Sequence, residues 1–186
     1  VIEYLEYENE TARINVIMND GDIVVDKKVI PTELPTEVNG ITGMLPTHSG
    51  SWYNPASNGE GFDIHVKNNT LLLYWYTYNV DETSRRFYYA SAPVVNDGKP
   101  VKFKLYTTEN GTWQDPASTH SSVVVGDGHL YFTGENSGVF TCNTTDHGRF
   151  SVEIEPVALS SGHESNGSYY TPARNGEGFT VQFFDD

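Results

Sequence analysis

The stretch GSWYNPASNGEGF occupies residues 50–62, and GSYYTPARNGEGF returns at residues 167–179. Ten of the thirteen positions are identical, at an offset of 117 residues (167 minus 50). Such a repeat has to be identified before any other element is assigned, because missing it leads to a wrong fold assignment. The first copy is followed by more than 100 residues and the second by seven. The second copy therefore either completes the domain of the first or opens a second, partial unit.

The repeated motif is typical of a strand, a loop and a return strand. Proline fixes φ and suits turns, and glycine permits positive φ or close approach of the backbone. The third position is aromatic and is expected to fill the core, with stacking on a sugar as the alternative. The positions that carry this structural motif are Trp52, Pro55, Gly59, Gly61, Phe62, Tyr169, Pro172, Gly176, Gly178 and Phe179.

Four residues of the motif are candidates for ligand binding. Tyr53 and Tyr170 follow the core position by one residue, so they point to the opposite face of the strand. Glu60 and Glu177 lie between the two glycines. Their carboxylates are expected to accept hydrogen bonds from backbone amides of the loop, because buried polar groups are generally paired. A role in binding a ligand or metal, or in catalysis, is the alternative.

The composition favours an all-β protein. The 186 residues include 12 Tyr, 17 Gly and 9 Pro, without long stretches of strong helix formers. Turn signals recur about every 8 to 12 residues, the spacing of a sandwich or barrel. We therefore predict an antiparallel barrel or sandwich of short strands with an internal motif repeat, and no helix.

Four segments follow from this pattern. We expect N-terminal strands in residues 1–30, a Pro-containing connector in 31–47, the main β domain in 48–164 and a partial second repeat in 165–186. The last segment either completes the domain or pairs with another chain.

Individual strands can also be assigned. Phe62–Val66 alternates as a half-buried strand, whereas Leu71–Tyr78 is apolar on both faces and is predicted to be a central strand. Gly126-Asp-Gly128 is interpreted as the turn of a hairpin that joins 123–125 to 130–132.

Charge, hydropathy and the Cys and His content disfavour several classes of function. The net charge of −14 disfavours a nucleic-acid partner, since phosphate binding requires a basic patch. No apolar run is long enough for a membrane span. Cys142 is the only cysteine and is predicted to be a buried, inert thiol. The six histidines lack metal-ligand spacing, so we expect no cofactor, although an acidic chain leaves room for a sporadic calcium site.

The motif resembles one found in a poorly characterised family of exported or surface-associated bacterial β-repeat proteins, with the pattern G-x-W-Y-N-P-x-x-x-G-x-G-F. In that family a strand rich in Tyr and Trp follows, as Leu73–Tyr78 does here. The resemblance implies a secreted, periplasmic or cell-surface location and no established chemistry. Gly50–Asn54 is also similar to the first strand of avidin-type barrels, which implies an up-and-down barrel as one architecture and does not imply biotin binding.

Three functions remain open. The first is non-catalytic ligand binding, with glycans as candidates, because Tyr and Trp stack on sugars. The second is a structural subunit of an extracellular filament or adhesin that associates through its C-terminal strand, Phe179–Phe184. A glycoside hydrolase that uses Glu60 and Glu177 is disfavoured, because repeat-equivalent carboxylates share an environment whereas acid and base need different ones.

Overall fold

The computed structural model describes the backbone of residues 2–7, 10–19, 22–30, 40–57, 59–80, 84–110, 121–159, 166–170 and 178–183. Side chains are described from residue 40 onward within these ranges, apart from Ala158, Leu159 and Tyr170.

The described residues form three antiparallel sheets. The first contains β1 (Ile2–Tyr7), β2 (Glu10–Asn19) and β3 (Asp22–Ile30). The second is a closed barrel of β4 (Gly50–Tyr53), β5 (Gly61–Lys67), β6 (Thr70–Tyr78), β7 (Arg85–Pro93), β8 (Val101–Glu109), β9 (Ser121–Gly134), β10 (Ser137–Thr144) and β11 (Gly148–Leu159). The third is a hairpin of β12 (Gly167–Tyr170) and β13 (Gly178–Val181).

The barrel is an up-and-down meander. Each strand from β4 to β11 pairs with the next along the chain, and β11 returns to pair with β4. The predicted all-β class is confirmed, and of the two architectures left open the structure has the barrel. Closure leaves no free edge in this sheet, which removes the risk of edge-to-edge aggregation there.

Every second side chain along a strand points into the barrel and fills its interior. In β6, the side chains at positions 71, 73, 75 and 77 are buried, whereas those between them are exposed or half-buried. The buried side chains of the interior are mainly aromatic and branched. Its aromatic members are Trp52, Phe62, Trp75, Tyr88, Phe103, Phe132 and Phe140.

One end of the barrel is closed by the chain that leads into β4. The amide of Thr42 donates to the carbonyl of Phe132 at 2.9 Å, and the amide of Met44 donates to Oδ1 of Asn96 at 2.9 Å. A short 3-10 helix, Pro46–His48, follows. The His48 ring then stacks on Phe132 with centroids 4.1 Å apart. Part of the segment assigned to the connector therefore packs as a plug on the barrel core.

The predicted hairpin at residues 123–132 is wrong. These residues belong to one continuous strand, β9, which pairs with β8 and β10. A Cβ on Gly126 would lie 2.1 Å from the carbonyl oxygen of Asn143, and one on Gly128 would lie 2.3 Å from Cε2 of Phe103. The two glycines therefore serve close packing inside a strand rather than a turn.

Helical structure is minimal. Within the ranges described above, the 3-10 turn at Pro46–His48 is the only helical element. These ranges contain no helix that is long and apolar enough to cross a membrane.

Candidate functional site

The loop of the first motif is held by local hydrogen bonds. The amide of Ser57 donates to the carbonyl of Asn54 at 3.0 Å, which closes a turn with Pro55 at its second position. The amide of Ala56 donates to Oδ1 of Asn54 at 3.0 Å. The Asn-Pro pair therefore builds the turn through an Asn side chain that mimics the backbone.

Glu60 fastens this loop to the barrel wall. Its carboxylate accepts hydrogen bonds from Ser57 Oγ at 3.0 Å and from Thr77 Oγ1 at 2.5 Å. Both partners are neutral hydroxyls, and both carboxylate oxygens are engaged. The hydrogen-bond donors to Glu60 are thus side-chain hydroxyls of the loop and of β6, where backbone amides of the loop were expected.

The remaining residues of the first motif divide between the core and the surface. Trp52 and Phe62 are buried inside the barrel. The side chain of Tyr53 points outward and donates its hydroxyl to Oε1 of Glu155. That hydrogen bond is the main cause of the raised pKa of Tyr53. Tyr53 is thus held on the outer face of β4.

The second motif is described only in part. Tyr169 and Phe179 are exposed and stack on each other with ring centroids 5.8 Å apart. Pro172, Gly176 and Glu177 lie outside the described residues, as does the side chain of Tyr170.

A surface that the sequence analysis did not identify lies on the outside of β6, β7 and β8. Five aromatic side chains, which we call the aromatic strip, project from these three neighbouring strands. Cross-strand pairing places Tyr74 beside Tyr89, Tyr76 beside Phe87, and Tyr89 beside Tyr106. The members of the aromatic strip are Tyr74, Tyr76, Phe87, Tyr89 and Tyr106.

The aromatic strip is partly open to solvent. Tyr76 is 43% exposed and Phe87 is 39% exposed. The rings of Tyr89 and Tyr106 stack with centroids 5.6 Å apart and an interplanar angle of 26°. Large exposed aromatic groups that lie together on one face are typical of binding surfaces, because isolated soluble domains rarely leave such patches uncovered.

Hydrogen bonds at both margins fix the orientation of the rings. The Tyr76 hydroxyl donates to Oδ2 of Asp63 at 3.3 Å, and the Tyr89 hydroxyl donates to Ser122 Oγ at 2.5 Å. Burial, together with the nearby Asp63 carboxylate, raises the pKa of Tyr76 to about 12. The hydroxyl therefore stays protonated at neutral pH, and the strip offers neutral rings with polar groups at its edges.

The sequence did contain a signal for this surface. Tyr74, Tyr76 and Tyr78 alternate with buried residues, but the apolar side chains on both faces of Leu71–Tyr78 predicted only a central strand. In a closed barrel the outer face has no second layer over it, so the even-numbered tyrosines lie at the surface. Their partners come from β7 and β8, which no local pattern connects to β6.

A second polar group, the mouth cluster, consists of Arg86, Tyr88, Asp146 and His147. Arg86 forms an ion pair with Asp146 at 3.0 Å, and the Tyr88 hydroxyl donates to the same carboxylate at 3.1 Å. His147 Nε2 donates to the carbonyl of Tyr78 at 2.9 Å. These polar groups pair with one another, and the His147 ring also packs against the rings of Trp75 and Tyr88.

No metal centre accompanies either surface in the part of the chain that the structure describes, where no three His, Cys, Asp or Glu side chains are placed to hold an ion. A scan against protein-family models gave no match, and a search of curated proteins gave none. The aromatic strip is accordingly the candidate site that geometry alone selects.

Proposed function

We propose that this protein is a non-catalytic, exported or cell-surface β protein that binds carbohydrate chains on the aromatic strip. The observation that carries the proposal is the row of half-exposed rings on three adjacent strands. Adjacent strands lie about 4.8 Å apart, so rings on neighbouring strands form one nearly continuous apolar surface. The carbon-bound hydrogens on one face of a sugar ring pack well against such a surface.

The margins of the strip supply the polar half of a sugar site. Asp63 accepts from both Ser51 and Tyr76, at 3.0 and 3.3 Å, and it lies at the β5 edge of the strip. Ser122 lies at the β9 edge. Carbohydrate recognition combines stacking with hydrogen bonds to hydroxyls, and aromatic residues with a polar tip are suited to both.

The net charge of the chain restricts the class of polysaccharide that it can bind. A net charge of −14 repels polyanions, and the strip itself contains no cation. Neutral polysaccharides are therefore favoured over acidic ones. A surface or exported location brings the protein into contact with such polymers.

The proposal is tested by affinity gel electrophoresis in gels that contain soluble β-glucan, mannan, xylan or an acidic pectin. We expect retardation by at least one neutral polymer. Tyr76→Ala and Phe87→Ala should each weaken binding, because one aromatic contact contributes roughly 0.5–1.5 kcal/mol. That range corresponds to about a two- to tenfold loss of affinity per ring.

Two matched variants serve as controls. Tyr76→Phe keeps the ring and should retain most of the affinity. Val95→Ala changes an exposed apolar side chain outside the strip and should have no effect. Migration unaffected by every polymer, or equal retardation of the Ala variants and the unmodified chain, contradicts the proposal.

A further inference from the structure

The C-terminal hairpin repeats the pairing of β4 with β5 residue for residue. In the barrel, Trp52 pairs with Phe62 and Tyr53 pairs with Gly61. Adding 117 to each number gives Tyr169 with Phe179 and Tyr170 with Gly178, the pairs found between β12 and β13. The initial glycines also match, since Gly50 and Gly167 have φ of 152° and 153°. The second motif is thus the same hairpin in the same register.

The two hairpins differ in the burial of their equivalent faces. Trp52 is 1% exposed and Phe62 is 3% exposed. Their counterparts Tyr169 and Phe179 are 43% and 62% exposed. The face that β4–β5 buries in the barrel therefore remains open to solvent to a large extent in β12–β13.

A surface complementary to this face exists in every copy of the chain. The Phe62 ring lies 4.7 Å from the ring of Phe140 and 6.3 Å from that of Trp75. The Trp52 ring lies 4.9 Å from that of Phe132. These partners come from β6, β9 and β10, and they would accept the aromatic rings of β12–β13 in the same register.

The contact between β11 and β4 is a weak part of the barrel wall. β4 has four residues, and its pairing with β11 shifts register between Pro156 and Ala158. Pro156, opposite Trp52, has no amide hydrogen to donate to the ladder. This side of β4–β5 therefore opens readily, whereas the seven residue pairs between β5 and β6 have to separate during partial unfolding before the exchange.

We propose that β12–β13 of one copy associates with a second copy of this chain by taking the place of β4–β5, between β11 and β6. The donor hairpin and the acceptor seam are different parts of one chain. Such a contact joins two different surfaces, so repeated exchange links copies into rings or open series, and reciprocal exchange links two copies into a dimer. The exchange removes Asp63 from the β5 margin of the aromatic strip and leaves the five rings of the strip in place.

Cross-linking tests the position of the hairpin. Asp63 pairs with Tyr74 in the barrel, and Thr180 is the repeat equivalent of Asp63 (63 plus 117). Chains carrying Thr180→Cys and chains carrying Tyr74→Cys are mixed, partly unfolded, refolded at high concentration and oxidised. We expect a mixed covalent dimer as the main product. Cys142 is buried and does not compete.

The matched control replaces Tyr74→Cys by Ser91→Cys, on the outer face of β7, which the incoming strands do not border. This mixture should give little mixed dimer. Equal yields of mixed dimer from the two mixtures overturn the proposal.

Light scattering after size exclusion provides a second measurement on chains without added cysteines. The mass of the refolded chain should rise with concentration, and Phe179→Asp should abolish the rise. Val95→Asp places the same charge on an exposed valine away from the hairpin and should behave like the unmodified chain. A chain that stays monomeric at every concentration, or Phe179→Asp that associates unchanged, overturns the proposal.

Discussion

The ring of Phe103 occupies the space in which a side chain at Gly128 would lie. A Cβ built on Gly128 falls 2.3 Å from Cε2 of Phe103, and Phe103 is itself a buried member of the core. The ring therefore packs directly on the backbone of the neighbouring strand. A glycine that locally resembles part of a turn is here required by packing across two strands.

We expect Gly128→Ala to destabilise the barrel. The Phe103 ring has to shift within a packed interior, and overpacking of this kind costs about 1–3 kcal/mol. Gly134→Ala is the matched control, since a Cβ there meets no atom within 4 Å. Urea unfolding followed by tryptophan fluorescence measures both. Equal stability of the two variants contradicts this account of Gly128.

Two glycines allow backbone strain and steric contact, the two costs of replacing a glycine by alanine, to be separated. Gly59 has φ of +85°, and a Cβ there would lie 2.3 Å from the Tyr78 hydroxyl oxygen. Gly98 has φ of +77° with nothing within 4 Å. Gly98→Ala should therefore show the backbone strain alone, about 1–2 kcal/mol, and Gly59→Ala should cost more.

The excess cost at Gly59 should depend on Tyr78. Adding Tyr78→Phe removes the hydroxyl and leaves the ring carbon Cζ at 3.2 Å, so Gly59→Ala should cost less in that background than in the unmodified chain. The free energies of unfolding of the single and double variants give the coupling between the two residues. Additive effects of the two changes would mean that the hydroxyl does not oppose a side chain at position 59.

Stability should fall in mild acid because of buried histidines. Burial lowers the pKa of His65, although the nearby Asp63 opposes the shift, and burial also lowers the pKa of His48. The unfolded chain then binds more protons than the folded chain below pH 6.5, the ordinary histidine value. Their contribution is complete above that pH and is lost as the pH falls through the lower folded pKa values.

His65→Met tests this assignment. Nε2 of His65 is buried without a hydrogen-bond partner, so an apolar side chain of similar size should be tolerated. One such histidine contributes a slope of at most about 1.4 kcal/mol per pH unit. The free energy of unfolding of the variant, measured between pH 7 and pH 5, should decline less steeply than that of the unmodified chain. Identical slopes would remove His65 as a cause.

Cys142 should be chemically silent in the folded protein. The thiol is completely buried, and burial raises its pKa well above the usual range. Since the thiolate is the reactive form, a water-soluble aromatic disulfide reagent should modify one thiol in denaturant and almost none under native conditions. Rapid modification of the folded chain would show that the barrel opens readily near β10.

Local sequence patterns predicted a large part of the fold. Alternation and turn residues predicted an all-β chain, because side-chain period and φ preference depend on neighbours along the chain. The same reasoning identified the loop of the first motif, where Asn54, Pro55 and Gly59 adopt conformations that suit their residue types. The burial of Cys142 was also predicted, because a cysteine without a pairing partner usually behaves as a small apolar residue.

The aromatic strip depended on contacts that are distant in sequence. Tyr76 meets Phe87, and Tyr89 meets Tyr106, only after β6, β7 and β8 align in register. The sequence displayed these residues without showing that they share the outer face of one sheet. The four residues predicted for ligand binding lie in the repeated motifs instead, and of these the structure places Tyr53 and Glu60 in hydrogen bonds within the first motif and the barrel wall.

The sequence by itself determined the β class and the hairpin of each motif, because steric preferences and alternation act over a few residues. Only the tertiary structure decided that the wall closes at β11 and β4, that Gly126 and Gly128 lie inside a strand, and that one hairpin is buried while its repeat is exposed. The physical reason is that burial is set by the strands on either side. Two copies of one motif therefore reach different environments when their neighbouring strands differ.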